Sequence, residues 1–99
     1  MIIVTGSVTA RADSFDSLRE ACLAHVHRSR TEDGCISHSV QVDCEDPLKL
    51  VFFEEWRDLE SLHVHFSQPG TREFLGAVRA HAASSVPVTT YNAERTPAQ

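Results

Sequence analysis

Apolar and polar positions alternate from Ile2 to Ala10, with Ile2, Val4, Gly6 and Val8 on one side and Ile3, Thr5, Ser7 and Thr9 on the other. A period of two predicts a strand with unlike faces. The period then lengthens. Phe15, Leu18, Cys22 and Val26 recur at spacings of three and four, predicting a helix from about Ser14 to about Arg30 that lays this stripe on a sheet. Asp13 or Ser14 is its expected cap, because either side chain accepts from the free amides of a first turn, and Asp33-Gly34 its stop. Alternation returns from Cys35 to Asp43, where Ile36, His38, Val40 and Val42 oppose Cys35, Ser37, Ser39 and Gln41. After a turn over Cys44 to Pro47, the run Leu48 to Trp56 is nearly continuous in apolar residues until its end. Such a run suits a strand covered on both faces, with Leu50, Phe52, Glu54 and Trp56 on one of them.

Asp58 is placed to cap a short helix through Phe66 with Leu59, Leu62 and Phe66 as its buried edge. Pro69 suits the first turn of a third helix, on which Phe74, Leu75, Val78 and Ala82 face inward. Val86 to Tyr91 reads as a last strand. The order β-α-β-β-α(α)-β is the split βαβ pattern of a ferredoxin-like α+β sandwich, expected over residues 1–92 and followed by a polar tail at 93–99. Helices cover one sheet face only, yet the third strand is apolar on both, so a second copy packed sheet to sheet closes the inventory and predicts a homodimer.

Composition narrows the function. A net charge of −5 with scattered Lys and Arg gives no electrostatic reason to approach nucleic acid or an anionic membrane, and no run is long enough to span a bilayer. No export signal is expected from Ile2-Ile3-Val4 followed at once by Thr5-Gly6-Ser7. Cys22, Cys35 and Cys44 are odd in number and lack Cys-x-x-Cys spacing, which argues against a disulfide framework or zinc site and for free thiols in a reducing cytoplasm. His63 and His65 sit two apart on a predicted helix and do not share a face, so that pair is a poor chelate and no metal is expected. There is no Gly-x-Gly-x-x-Gly and no phosphate-cradling loop.

The run Glu54-Glu55-Trp56-Arg57-Asp58-Leu59-Glu60-Ser61-Leu62-His63-Val64-His65-Phe66-Ser67-Gln68-Pro69, continuing to Phe74-Leu75, resembles the signature of the antibiotic-biosynthesis-monooxygenase and quinol-monooxygenase family. Members carry Glu-x-Trp at a strand end, a His nine residues after the Trp, a Ser/Pro break and a Phe-rich helix; Trp56 and His65 have that spacing. Ser29 to Ile36 is similar to the family's helix end and second-strand start, and Ile2-Ile3-Val4-Thr5 to its opening strand. The resemblance implies a dimeric α+β barrel with a pocket in each subunit, oxidising a quinol or polyphenol without flavin, haem or metal. It departs from members that oxidise polyketide aromatics, because Phe52 stands where they have Asn. It departs also from haem degraders, whose Asn, Trp and His fall at Gly6, His65 and Leu75, and haem degradation is not expected.

Oxygenation without a cofactor needs a base and a dry, apolar cavity. Histidine accepts a proton near neutrality with little tuning, and His65, beside Leu62 on the predicted helix, is the candidate catalytic base. Trp56, His38, Phe52 and Glu54 are the candidate substrate contacts. Each has a plainer reading: Trp56 as packing, His38 as a satisfied core histidine, Glu54 as a structural hydrogen bond, or else as the group that orients His65. The expected partners are a small aromatic substrate and O2. Two other uses stay open: an isomerase moving a proton on a small hydroxy-ketone, or a small-molecule-binding dimer without turnover.

Overall fold

In the computed structural model, which describes residues 1–98, the alternating run at the N-terminus forms β1 (Ile2–Ala10), followed by α1 (Phe15–Ser29), β2 (Cys35–Asp43), β3 (Asp46–Trp56), α2 (Leu59–Ser67), α3 (Pro69–His81) and β4 (Ala82–Asn92). The strands form one antiparallel sheet in the order β2-β3-β1-β4. β3 therefore lies between β1 and β2, and β1 between β3 and β4, giving the expected ferredoxin-like α+β fold. No helix among the described residues is long and apolar enough to cross a membrane.

One sheet face carries the core, in two clusters. Val8, Ala10, Leu18, Cys22, Val26, Leu50 and Phe52 make the larger; Ile2, Val4, Trp56 and Leu62 make the smaller. Glu54 falls between Phe52 and Trp56 on the same face of β3, so a polar position separates the two clusters. No helix among the described residues covers the other face. Phe53 is 40% exposed and Tyr91 51% exposed there, although the sequence pattern leads one to expect cover on both sides of β3.

Several local expectations change. Ser14 stands at the α1 cap position, but its hydroxyl donates to the His81 carbonyl at 2.6 Å and caps no α1 amide, so it fastens the end of α3 instead. Asp58 caps α2 as expected, accepting from the Ser61 amide at 2.8 Å. Asp43 accepts from the Glu45 amide at 2.7 Å, which tightens the hairpin and lets β3 begin at Asp46, two residues before Leu48. Ala82 pairs with Ala10 and opens β4 where a helical position was expected. Leu59, Phe66 and Leu75 are half exposed; the buried edge of α2 is Ser61, Leu62 and His65. Gly34, at φ 84, makes the turn into β2, and a Cβ there would collide with Ser61. Met1 and Ala93 exchange backbone hydrogen bonds, so the tail stays paired to β1 as far as Ala93; Gln99, the last tail residue, lies outside the described residues.

Candidate functional site

Three elements each bring one buried histidine to the same place. His25 extends the α1 stripe by three residues beyond Cys22, His38 sits opposite Glu54 in the β2–β3 ladder, and His65 follows Leu62 on the inner edge of α2. Their ring centres lie 5.2 to 5.6 Å apart, a nearly equilateral triangle. Trp56 backs His65 at 4.6 Å, and Phe74 stacks on His25 at 4.3 Å. The positions are fixed from behind: the Ser29 hydroxyl donates to the His25 carbonyl at 2.6 Å, and the Thr71 hydroxyl to the His65 carbonyl at 2.6 Å.

Each ring meets a different partner. His65 Nδ1 is 2.8 Å from Glu32 Oε1; a carboxylate only accepts, so Nδ1 carries a proton and Nε2 is the ring nitrogen left for another partner. Arg28 donates to His25 Nδ1 at 3.3 Å while also holding the Gly70 carbonyl at 2.6 Å. His38 Nε2 lies 3.2 Å from Glu54 Oε1 but off the line of a hydrogen bond, and both ring nitrogens of His38 are buried without a hydrogen-bond partner among the described residues. That is costly for a residue 1% exposed. Glu54 Oε1 accepts from Trp56 Nε1 at 2.9 Å.

The charges follow from burial and neighbours. Desolvation, then the nearby His65, His38 and Arg28, push His25 down to about 3, so it is a neutral imidazole at physiological pH. Burial pushes the Glu54 carboxyl up, but His38, the Trp56 N–H and His65 outweigh it and hold the group below its ordinary range. Glu54 is thus an anion inside the protein. Burial lifts the Cys22 thiol to about 12, and burial with Glu54 and Glu32 lifts Cys35, so neither is an activated thiolate.

A cavity of about 420 Å³ opens beside the cluster, between α3 and the β1–β4 half of the sheet. His65, His25 and Glu54 supply its ionisable edge, while Phe52, Phe66, Phe74, Val78 and Val88 supply apolar walls. Gly6 forms part of the wall, and a Cβ on it would come within 3.3 Å of Val88 Cγ1. The volume suits a ligand of one to three fused rings.

Of the residues singled out from sequence, His65, Phe52 and Glu54 line this cavity. His38 and Trp56 lie one layer behind, packed on His65 and on Glu54. Glu32 takes the position beside His65 that sequence reasoning offered to Glu54. His25, Glu32 and Arg28 were not singled out at all. The helical period that picked Leu18, Cys22 and Val26 also passes through His25, so that signal was available; the pairing of Glu32 with a residue 33 positions away was not.

Comparison with known proteins agrees with the fold. The family model for antibiotic biosynthesis monooxygenase matches residues 1–83. An uncharacterized protein of Synechocystis sp. is 32% identical over 74 residues, which is 75% of this chain; the chain spans about half the length, 50%, of that curated relative. Among solved structures, a Deinococcus radiodurans protein provisionally assigned as an antibiotic biosynthesis monooxygenase superposes with a TM-score of 0.92 at 26% identity, covering 98% of this chain and 96% of its own. A Mycobacterium tuberculosis protein superposes with a TM-score of 0.86 at 26% identity, covering 99% of this chain and 98% of its own.

Proposed function

This chain belongs to the antibiotic biosynthesis monooxygenase family, and from that membership we propose that it oxygenates a quinol or phenolic, polyketide-like aromatic with O2, using His65 as base and no cofactor. The observation that carries the reading is His65, in the wall of an apolar cavity, paired at 2.8 Å with Glu32 behind it. Glu32 holds the Nδ1–H tautomer, leaving Nε2 to accept the substrate's acidic proton, and its carboxylate then balances the imidazolium. Glu32 is partly exposed, at 18%, and gives the proton a way out to solvent.

The electron-rich anion left behind is itself the reductant. It passes one electron to O2, the radical pair joins as a carbon-bound peroxide that takes the proton back from the His65 imidazolium, and loss of water together with the hydrogen on that carbon leaves a carbonyl, so one oxygen atom enters the product and the other departs as water. Apolar walls favour these steps by keeping bulk water from the radical pair. Phe52 and Phe74 offer rings for the substrate to lie against, Glu54 supplies an acceptor for a second hydroxyl, and His38 and Trp56 support the wall from behind. The bare sheet face, with Phe53 and Tyr91 exposed, supports a homodimer closed sheet to sheet, and the three free thiols support a reducing cytoplasm.

A second reading, isomerisation of a small hydroxy-ketone, draws on His25 standing 5.2 Å from His65, since two imidazoles can give and take a proton across one substrate. Oxygen-electrode traces with hydroquinones and anthrones, paired with mass spectra of the products, separate the two. Uptake with one labelled oxygen atom in the product supports the oxygenase; no uptake with any phenol, alongside hydroxy-ketone tautomerisation by NMR, replaces it with the isomerase.

A further inference from the structure

We propose that His25, His38 and His65 form a binding site for a divalent first-row metal ion of the zinc, cobalt or copper class, with the Glu54 carboxylate beside it as a compensating charge. The inference goes beyond the oxygenase reading and does not depend on turnover. One ligand atom from each histidine lies within 4.8 Å of the other two, and all three rings are buried. A tetrahedral ion bound about 2.1 Å from each imidazole nitrogen would hold the ring centres on the order of 5 Å apart. The observed separations of 5.2, 5.4 and 5.6 Å already match that spacing, so the rings have to turn and hardly to move.

Three further observations point the same way. His38 is buried with no hydrogen bond at either nitrogen among the described residues, which is a costly arrangement for a side chain that packs only and is relieved when one nitrogen takes a metal. Glu54 puts a carboxylate oxygen 3.2 Å from His38 Nε2, a negative charge where an ion would need one. Glu32 already orients His65 through Nδ1, the carboxylate–imidazole arrangement that supports metal-binding histidines from outside. One contact has to be given up: with Arg28 donating to His25 Nδ1, the Nε2 of that ring carries the proton, so binding through Nε2 requires His25 to change tautomer and leave Arg28 to its bond with Gly70. Because the ion takes the Nε2 lone pair of His65, a filled site and a free His65 base exclude one another.

The test is metal binding to the chelator-stripped full chain, followed by calorimetry and by visible absorption with Co2+ and electron paramagnetic resonance with Cu2+. The expected result is one ion per chain, with nitrogen hyperfine structure from three imidazoles and no thiolate charge-transfer band. His38→Gln should lose this binding, and Glu32→Gln should weaken it about tenfold. Absence of stoichiometric binding overturns the proposal. So does binding that persists in both His38→Gln and His65→Gln, or a thiolate band, since either result assigns the ion to exposed histidines such as His27 and His63 or to the cysteines. The spectra of the unmutated chain count the nitrogens even where a variant fails to fold.

Discussion

His65 Nδ1 and Glu32 Oε1 stand 2.8 Å apart, the imidazole 2% exposed and the carboxylate 18% exposed. The pair joins α2 to the turn after α1 and fixes which nitrogen of His65 is basic. Glu32 is not among the cavity walls, so it acts through His65 and not on the substrate. Glu32→Gln should therefore lower kcat by about 10- to 100-fold, a part of what a positioned base contributes, with KM little changed. A KM effect as large as the kcat effect would put Glu32 in contact with substrate instead.

His25 makes folding sensitive to acid. Its folded value of about 3 lies below the unfolded value of 6.5, so between those pH values the unfolded chain binds the extra proton and stability falls as pH falls. The slope from this one residue is about 1.4 kcal/mol per pH unit. Glu54, held below its ordinary range, adds a loss of the same sign at the acid end, because protonating it discards the anion that Trp56 and His38 surround. Urea unfolding of His25→Phe, which keeps a ring on Phe74, should show a flatter dependence between pH 6.5 and 3 than the parent. Equal slopes in the two proteins would assign the acid sensitivity elsewhere.

Gly6 sets the width of the cavity. A Cβ there meets Val88 Cγ1 at 3.3 Å, so Gly6→Val has to project into the space between β1 and α3. KM for a fused-ring phenol should rise on the order of tenfold, while a single-ring hydroquinone is affected less. Equal effects on both would mean that substrates do not reach this wall.

Phe53 is the large apolar side chain at the middle of the bare face, opposite Thr5 and Ser39. If two copies close there, Phe53→Glu should leave a folded monomer by light scattering at concentrations where the parent is a dimer. A parent that is itself monomeric contradicts the sheet-to-sheet arrangement.

Much of this fold was legible because each strand and helix carries its own period. β1, α1 and β2 follow the alternation and the Leu18-Cys22-Val26 stripe to within a residue or two. The errors fall where tertiary pairing overrides local pattern: Ala82 fits a helix stripe but is claimed by Ala10 across the sheet, and Phe66 and Leu75 look like core residues because the apolar space they border is a cavity. The site was half legible. The family resemblance and the place beside Leu62 led to His65, and alternation placed His38 and Glu54 indoors, but nothing local says that Glu32 will return to His65 or that His25 will complete a triangle.

The most direct test of the account is O2 uptake by chelator-treated protein given an anthrone or hydroquinone, comparing the parent with His65→Ala. The account predicts uptake by the parent without any added cofactor or metal, and a loss of roughly 10²–10⁴-fold in the variant. Uptake that appears only after metal is restored, or that survives intact in His65→Ala, would contradict it.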